Sequence, residues 1–245
     1  LQRVQWIEYL IMILFSRLTS HIDSLYVAPG PFSLYKTEVI RKVGGFDEHN
    51  LTEDQEIAYR MQSLNYRVKQ CPFAYVRTVA PDNLKAFFRQ RRRWYKGSLS
   101  CLQKYKHLIL NKSYGDFGLI QMLKNVLGFG IAISGMAFAY FYIIWPIFLR
   151  LKNLYIVDFD FWPYLKNLRF NFNLLSLDLP KLFIVFILFL IGFLFYYVSH
   201  KNASEKINKI GILPVIPYFF FYYLIKGSIL LYSVAEYAVG RKSKW

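Results

Sequence analysis

The sequence is poor in metal- and disulfide-forming residues. Its 245 positions hold two cysteines, Cys71 and Cys101, and four scattered histidines, His21, His49, His107 and His200. These form neither a disulfide framework nor a zinc spacing, so a stapled mini-domain and a Cys/His metal centre are both excluded. Acid is scarce too: 15 Asp and Glu stand against 31 Lys and Arg, a formal net charge of +16. There is no secretory signal pattern, no internal repeat and no low-complexity linker. The chain starts at Leu1 rather than Met and is expected to be a fragment of a longer protein. What it has in quantity is apolar surface, 55% hydrophobic and 20% aromatic residues, more than a soluble domain usually carries. Two classes fit a basic chain of this kind: a membrane protein with basic cytosolic surfaces, or a nucleic-acid binder with an apolar body.

Long uncharged runs favour the first class. Residues 125–149 carry no charge over 25 positions, and residues 182–199 none over 18. About 20 apolar residues span a bilayer core as helix. Gly128, Gly130 and Gly135 would suit close helix packing in the first run. A third segment, 213–239, is weaker: Pro214 and Pro217 mark its start, and Lys226 and Glu236 interrupt it. It could cross the bilayer or lie in its interface. Residues 85–112 carry nine Lys/Arg and no acid, which places the first 118 residues on the cytosolic side. Three full crossings would then leave the basic tail Arg241, Lys242 and Lys244 outside, against the same rule. Either the third segment does not cross or the tail is an exception.

The first half alternates helix and strand signals. Helices are expected over 6–18, over 36–43 ended by Gly44-Gly45, from Thr52 with a Thr52-x-x-Gln55 capping box, and over 83–102. Strands are expected over 25–28, 32–35, 66–70 and 73–79. The expected architecture is an α/β domain followed by an α-helical transmembrane region. Its parts are residues 1–82, amphipathic interface helices over 83–118, and a membrane region over 119–245.

Two motifs carry chemistry. Thr52-Glu53-Asp54 places carboxylates at a helix start, where the dipole favours them. Plain capping explains that, and so does an acid fixed at the mouth of a site, with Asp54 as general base toward a hydroxyl. Gln90-Arg91-Arg92-Arg93-Trp94 puts guanidinium groups, which fit phosphate oxygens, beside an indole that can stack on a sugar ring. A lipid-binding basic patch or a nucleic-acid stripe would use the same arginines.

Gly44-Gly45-Phe46, Thr52-Glu53-Asp54 and Gln90-x-x-Arg93-Trp94, in this order and ahead of hydrophobic segments, resemble the processive branch of the family-2 glycosyltransferases. That branch includes cellulose, hyaluronan and poly-N-acetylglucosamine synthases. The resemblance covers residues 1–110 closely and the membrane region in outline. It implies the C-terminal, acceptor-side half of a glycosyltransferase A-type fold and inverting transfer from a nucleotide-sugar donor to a glycan or lipid-linked acceptor. It makes Asp54 the catalytic base toward the acceptor hydroxyl, with Glu53 beside it in the catalytic motif. Gln90 and Arg93 would contact the donor pyrophosphate, where leaving-group charge develops. Trp94, Gly45 and Phe46 would line the acceptor side. Arg91 and Arg92 occupy variable positions of the motif and inherit no role.

A divalent metal, Mg or Mn, is also implied, with ligands in an upstream Asp-x-Asp that these residues do not contain. Asp158-Phe159-Asp160 matches by letter only and lies beyond the first hydrophobic run. The fragment alone is therefore expected to be inactive. The resemblance implies an integral membrane protein with its catalytic part cytosolic, a bilayer as partner and no nucleic acid. The competing reading is a non-enzymatic membrane protein with a basic lipid- or nucleic-acid-binding module.

Overall fold

The computed structural model describes residues 1–71, 73–74, 76–156, 178–207, 209 and 213–241. Seven helices organise them: α1 Gln2–His21, α2 Thr37–Val43, α3 Glu53–Ser63, α4 Leu84–Lys104, α5 Phe117–Ile156, α6 Leu179–Asn202 and α7 Val215–Ala238. Asp158-Phe159-Asp160 lies outside the described residues.

The expected α/β character is not confirmed. Among the described residues there is no strand, and 25–28, 32–35 and the described parts of 66–79 run as irregular chain. A strand is stabilised by the ladder it forms with a neighbour. These segments find no such neighbour in one another and instead lie against helices. The Gln62 side chain donates to the carbonyls of Asp23 and Leu25, and the Gln70 amide donates to Ser20 Oγ at 2.8 Å.

Residues 1–133 and 198–245 form one compact unit, and 134–197 another. In the first, α1 buries Val4, Ile7, Leu10 and Leu14, an i, i+3, i+4 stripe. Each such side chain contributes roughly 1.5–3 kcal/mol when fully buried. Ile57 and Met61 of α3 pack with Val43 of α2, while Tyr59 turns to Cys101, Tyr105, Leu108, Phe117 and Met122. Helix α3 is thus held on both faces. Helix α2 stops as expected: Gly44 is left-handed at φ 85°, its amide donates to Arg41 and the Gly45 amide donates back to Ile40, a Schellman turn. Asn83 caps α4 by accepting from the Ala86 amide at 2.8 Å.

Helices α5, α6 and α7 are long and apolar enough to cross a membrane. The first two leave almost all of their most apolar stretch exposed. In α7 that stretch is 28% buried, because α7 lies along α4. Phe87 meets Tyr222 at 5.6 Å and Phe88 meets Tyr232 at 5.3 Å. Farther along, Arg92 meets Glu236, and Lys96 Nζ donates to the Arg241 carbonyl at 2.6 Å. Gly128, Gly130 and Gly135 do not serve helix packing among the described residues: a Cβ added at any of them would meet nothing within 4 Å. Within the second unit, Phe138, Phe141 and Tyr142 are exposed, with Phe138 stacked on Tyr142.

Candidate active site

The Thr52-Glu53-Asp54 motif opens α3, but the capping box does not form. Thr52 makes no side-chain cap. Its amide and hydroxyl turn to Asn50 Oδ1 instead, and the Gln55 side chain accepts from Ser98 Oγ of α4 at 2.7 Å. Packing against α4 overrides the local pairing. The contact is close because α4 carries Gly97 there. A Cβ built on Gly97 would fall 2.2 Å from Thr52 Oγ1 and 2.5 Å from its Cγ2. The glycine lets the start of α3 press on α4 one turn after Arg93.

Asp54 is half-buried. Its Oδ1 accepts from the Gln55 amide at 2.8 Å. Burial pushes its carboxyl above the usual aspartate range and the neighbouring Glu53 charge adds to that, while the Gln55 amide and Arg93 pull the other way. Arg93 is therefore near enough to act on Asp54, and the two motifs, separate in sequence, meet electrostatically. Tyr35 also feels both Asp54 and Glu53. Burial is the main cause of its raised pKa, and the two carboxylates add to it.

Gly45 and Phe46 are tied to α3 from its other end. Arg60 donates to the carbonyls of Val43 and Gly45 at 2.9 and 3.0 Å, and Phe46 packs edge-on to Tyr35 at 5.4 Å. Arg60 is held in turn by Glu56, a fully buried acid that also accepts from Lys104 at 2.7 Å and Tyr105 at 2.6 Å. Burial pushes the Glu56 carboxyl up, but these donors outweigh it and leave its pKa lowered.

The three consecutive arginines take different places. Arg91 is 2% exposed and pairs with Glu8 of α1 at 2.5 Å. Its guanidinium lies 4.3 Å from the Trp94 ring centre, so Arg91 occupies one face of that indole. Glu8 also meets Lys226 and Tyr222 of α7. Arg92 forks onto both carboxylate oxygens of Glu236 in α7. Only Arg93 is exposed. Gln90 Oε1 is buried and has no hydrogen-bond partner among the described residues, an exception of the kind that a bound group removes. A lipid or nucleic-acid patch made of all three arginines does not fit, since two of them point into the protein.

Sequence reasoning missed Glu8, Gly97, Ser98, Tyr35 and Glu236. Of these, Gly97 left a trace, a glycine inside a long helix pattern that invites a packing reason. No three His, Cys, Asp or Glu side chains among the described residues are placed to hold a metal ion. These residues do not fit the divalent metal that the resemblance implies.

The model of the family described as "Glycosyl transferase family group 2" matches residues 8–229. The chain belongs to this family. As a member of the glycosyl transferase family group 2, it is similar to the poly-β-1,6-N-acetyl-D-glucosamine synthase of Staphylococcus epidermidis, at 22% identity over 99% of this chain and 54% of that protein. The corresponding synthase of Staphylococcus aureus strain COL is 29% identical over 42% of this chain and 25% of its own length. A probable glycosyltransferase of Bacillus subtilis, YdaM, is 32% identical over 31% of this chain and 18% of its own length. The chain spans about half the length of the relative it matches end to end. No solved structure matches it.

Proposed function

We propose that this family member supplies the acceptor-side catalytic machinery of a membrane-embedded inverting glycosyltransferase. The observation that carries the reading is the meeting of the two motifs. A half-buried carboxylate of raised proton affinity, Asp54, feels the charge of the exposed Arg93, on helices pressed together at Gly97.

In this reading a hydroxyl of the glycan or lipid-linked acceptor attacks the anomeric carbon of a nucleotide sugar. Asp54 takes the hydroxyl proton as the new glycosidic bond forms. The bond from the anomeric carbon to the donor phosphate oxygen breaks on the opposite face, and the nucleoside diphosphate leaves with the electron pair. Arg93 and Gln90 offset the charge that develops on it. Glu53 raises the basicity of Asp54. Trp94 presents the indole face not covered by Arg91 to the acceptor, and Gly45 and Phe46 also serve the acceptor.

The nucleotide site and the ligands of a divalent metal belong elsewhere in the protein, so these residues alone would not turn over donor. The catalytic part lies on the cytosolic face, with α5 and α6 in the bilayer. Their exposed aromatics, Phe138, Tyr140, Phe141, Tyr142 and Trp145, face lipid. Because two relatives are named for poly-N-acetylglucosamine, an N-acetylhexosamine donor is the first to try, with processive extension the first mode to test.

The decisive experiment uses the full-length protein in membranes with a panel of nucleotide sugars. Asp54→Asn should lower turnover by about 10²–10⁴-fold while donor binding persists. Turnover kept by Asp54→Asn would remove Asp54 from the role. Long polymer among the products supports processive synthesis; a single added sugar supports one-step transfer.

A further inference from the structure

We infer that Glu236 of α7 is a positioning residue for the Gln90–Trp94 motif, so that the last apolar helix serves the catalytic site as a brace for α4. The inference rests on the transferase reading above.

Helix α4 needs such a brace. Its charge is one-signed, with Lys85, Arg89, Arg91, Arg92, Arg93 and Lys96 along it and no acid of its own. Like charges three or four apart weaken a helix. Within the motif, two acids from outside compensate its arginines. Glu8 comes from α1 and meets Arg91 at 2.5 Å, with side chains 7% and 3% exposed. Glu236 comes from α7 and forks onto Arg92, its side chain 6% exposed. A two-pronged guanidinium–carboxylate pair fixes direction as well as distance.

Glu236 also lies 3.7 Å from Lys96, and Lys96 donates to the carbonyl of Arg241, just past the end of α7. Farther back, Tyr222 and Lys226 of α7 reach Glu8. Helix α7 therefore supplies one of the two acids that pair with the motif's arginines and touches the other. Gln90, Arg93 and Trp94 share α4 with Arg91 and Arg92. Whatever fixes the rotation of α4 about its axis fixes the direction of the exposed Arg93 toward Asp54. Without Glu236, the half-buried Arg92 and the buried Lys96 would be left without an acid beside them. Relieving that by turning α4 would carry Arg93 away from Asp54. The site would still bind and would still contain every catalytic group, but it would be misaligned.

The test combines turnover with an activity-independent measurement on the full-length protein in membranes. Glu236→Gln keeps shape and volume and removes the charge. It should lower kcat by roughly 10- to 100-fold with donor KM changed less than threefold, and should speed hydrogen exchange of residues 84–104. The exchanged pair Arg92→Glu with Glu236→Arg should recover most of both. Unchanged hydrogen exchange in Glu236→Gln overturns the brace. Faster exchange with full turnover overturns the positioning role. Full loss of KM and kcat together, with no recovery in the exchanged pair, also overturns it in favour of plain folding damage. A wild-type protein that transfers no sugar refutes the transferase reading, and the exchange comparison still decides whether Glu236 holds α4.

Discussion

Gly97→Ala is the substitution on which the site geometry makes its sharpest statement. The new methyl carbon would sit 2.2, 2.5 and 2.8 Å from Thr52 Oγ1, Cγ2 and Cβ. Non-bonded carbons rest near 3.5–4.0 Å, so the start of α3 and the middle of α4 must part by roughly 1 Å. Two stability effects then oppose each other. Overpacking costs about 1–3 kcal/mol, while replacing a helical glycine with alanine gains up to about 1 kcal/mol. The net loss is small, at most about 2 kcal/mol on those two principles, and the protein should still fold.

Turnover has no such compensation. Asp54 sits just inside α3 and Arg93 one turn before Gly97, so the separation falls between the two groups that must act together. A misplacement of about 1 Å costs on the order of 10²-fold in rate. Gly97→Ala is therefore expected to lose about two orders of magnitude in sugar transfer with only a small shift in Tm. Adding Thr52→Ala removes the two closest atoms and leaves the Cβ contact at 2.8 Å. It should recover part of the activity. Full turnover in Gly97→Ala, or no recovery in the double variant, would refute the close contact as the device that aligns the motifs.

Other consequences are open to measurement. Because Asp54 must be ionised to act as base and its pKa is raised above the ordinary aspartate value of 3.8, the acid limb of the rate–pH profile should lie above that value. Folded protein holds this proton more tightly than unfolded chain, so ionised Asp54 costs stability as pH rises. Asp54→Asn should accordingly leave Tm at neutral pH equal or higher while lowering turnover as stated above. Glu56 has the opposite sign. Its lowered pKa gives stability that is present above the unfolded value of 4.5 and lost as pH falls through the folded one. Glu56→Gln, which leaves Arg60 without its acid and Lys104 with Asp47 alone, should cost roughly 1–3 kcal/mol in denaturant melts. In a Cys71→Ser, Cys101→Ala background, Gly240→Cys should react with a membrane-impermeant maleimide from the same side as Lys85→Cys, since α7 runs along α4. Labelling from opposite sides would mean that α7 crosses.

The residues to which the proposed function gives chemistry were more legible in the sequence than those that would aim them. Asp54, Gln90, Arg93 and Trp94 stand in short motifs whose side-chain types fit their task. The ends of α2 and α4 were legible because a glycine pair and an asparagine are local signals. Glu8 was not, because its partner Arg91 lies 83 positions away and nothing in the neighbourhood of either marks the pairing. The Thr52–Gln55 pattern misled for a related reason: it matches a local motif, yet Thr52 turns back to Asn50 and Gln55 is taken by Ser98, which tertiary packing brings in. The strand-like segments misled most. Alternation records a preference for extended chain, and a sheet also needs a partner strand that these segments do not find among the described residues.

Arg91, Arg92 and Arg93 also bear on how a mutational scan of this protein would read. An α-helix turns roughly 100° per residue, so three neighbours spell one word in sequence and point to three separate thirds of the circumference. One is sealed beside α1, one grips α7, and one is exposed and bears electrostatically on Asp54. Replacing each with lysine is the same edit on paper. The first should show up as lost protein yield, the second as lost precision in turnover, and the third as lost turnover in a well-folded enzyme. A score averaged over the run would hide all three phenotypes.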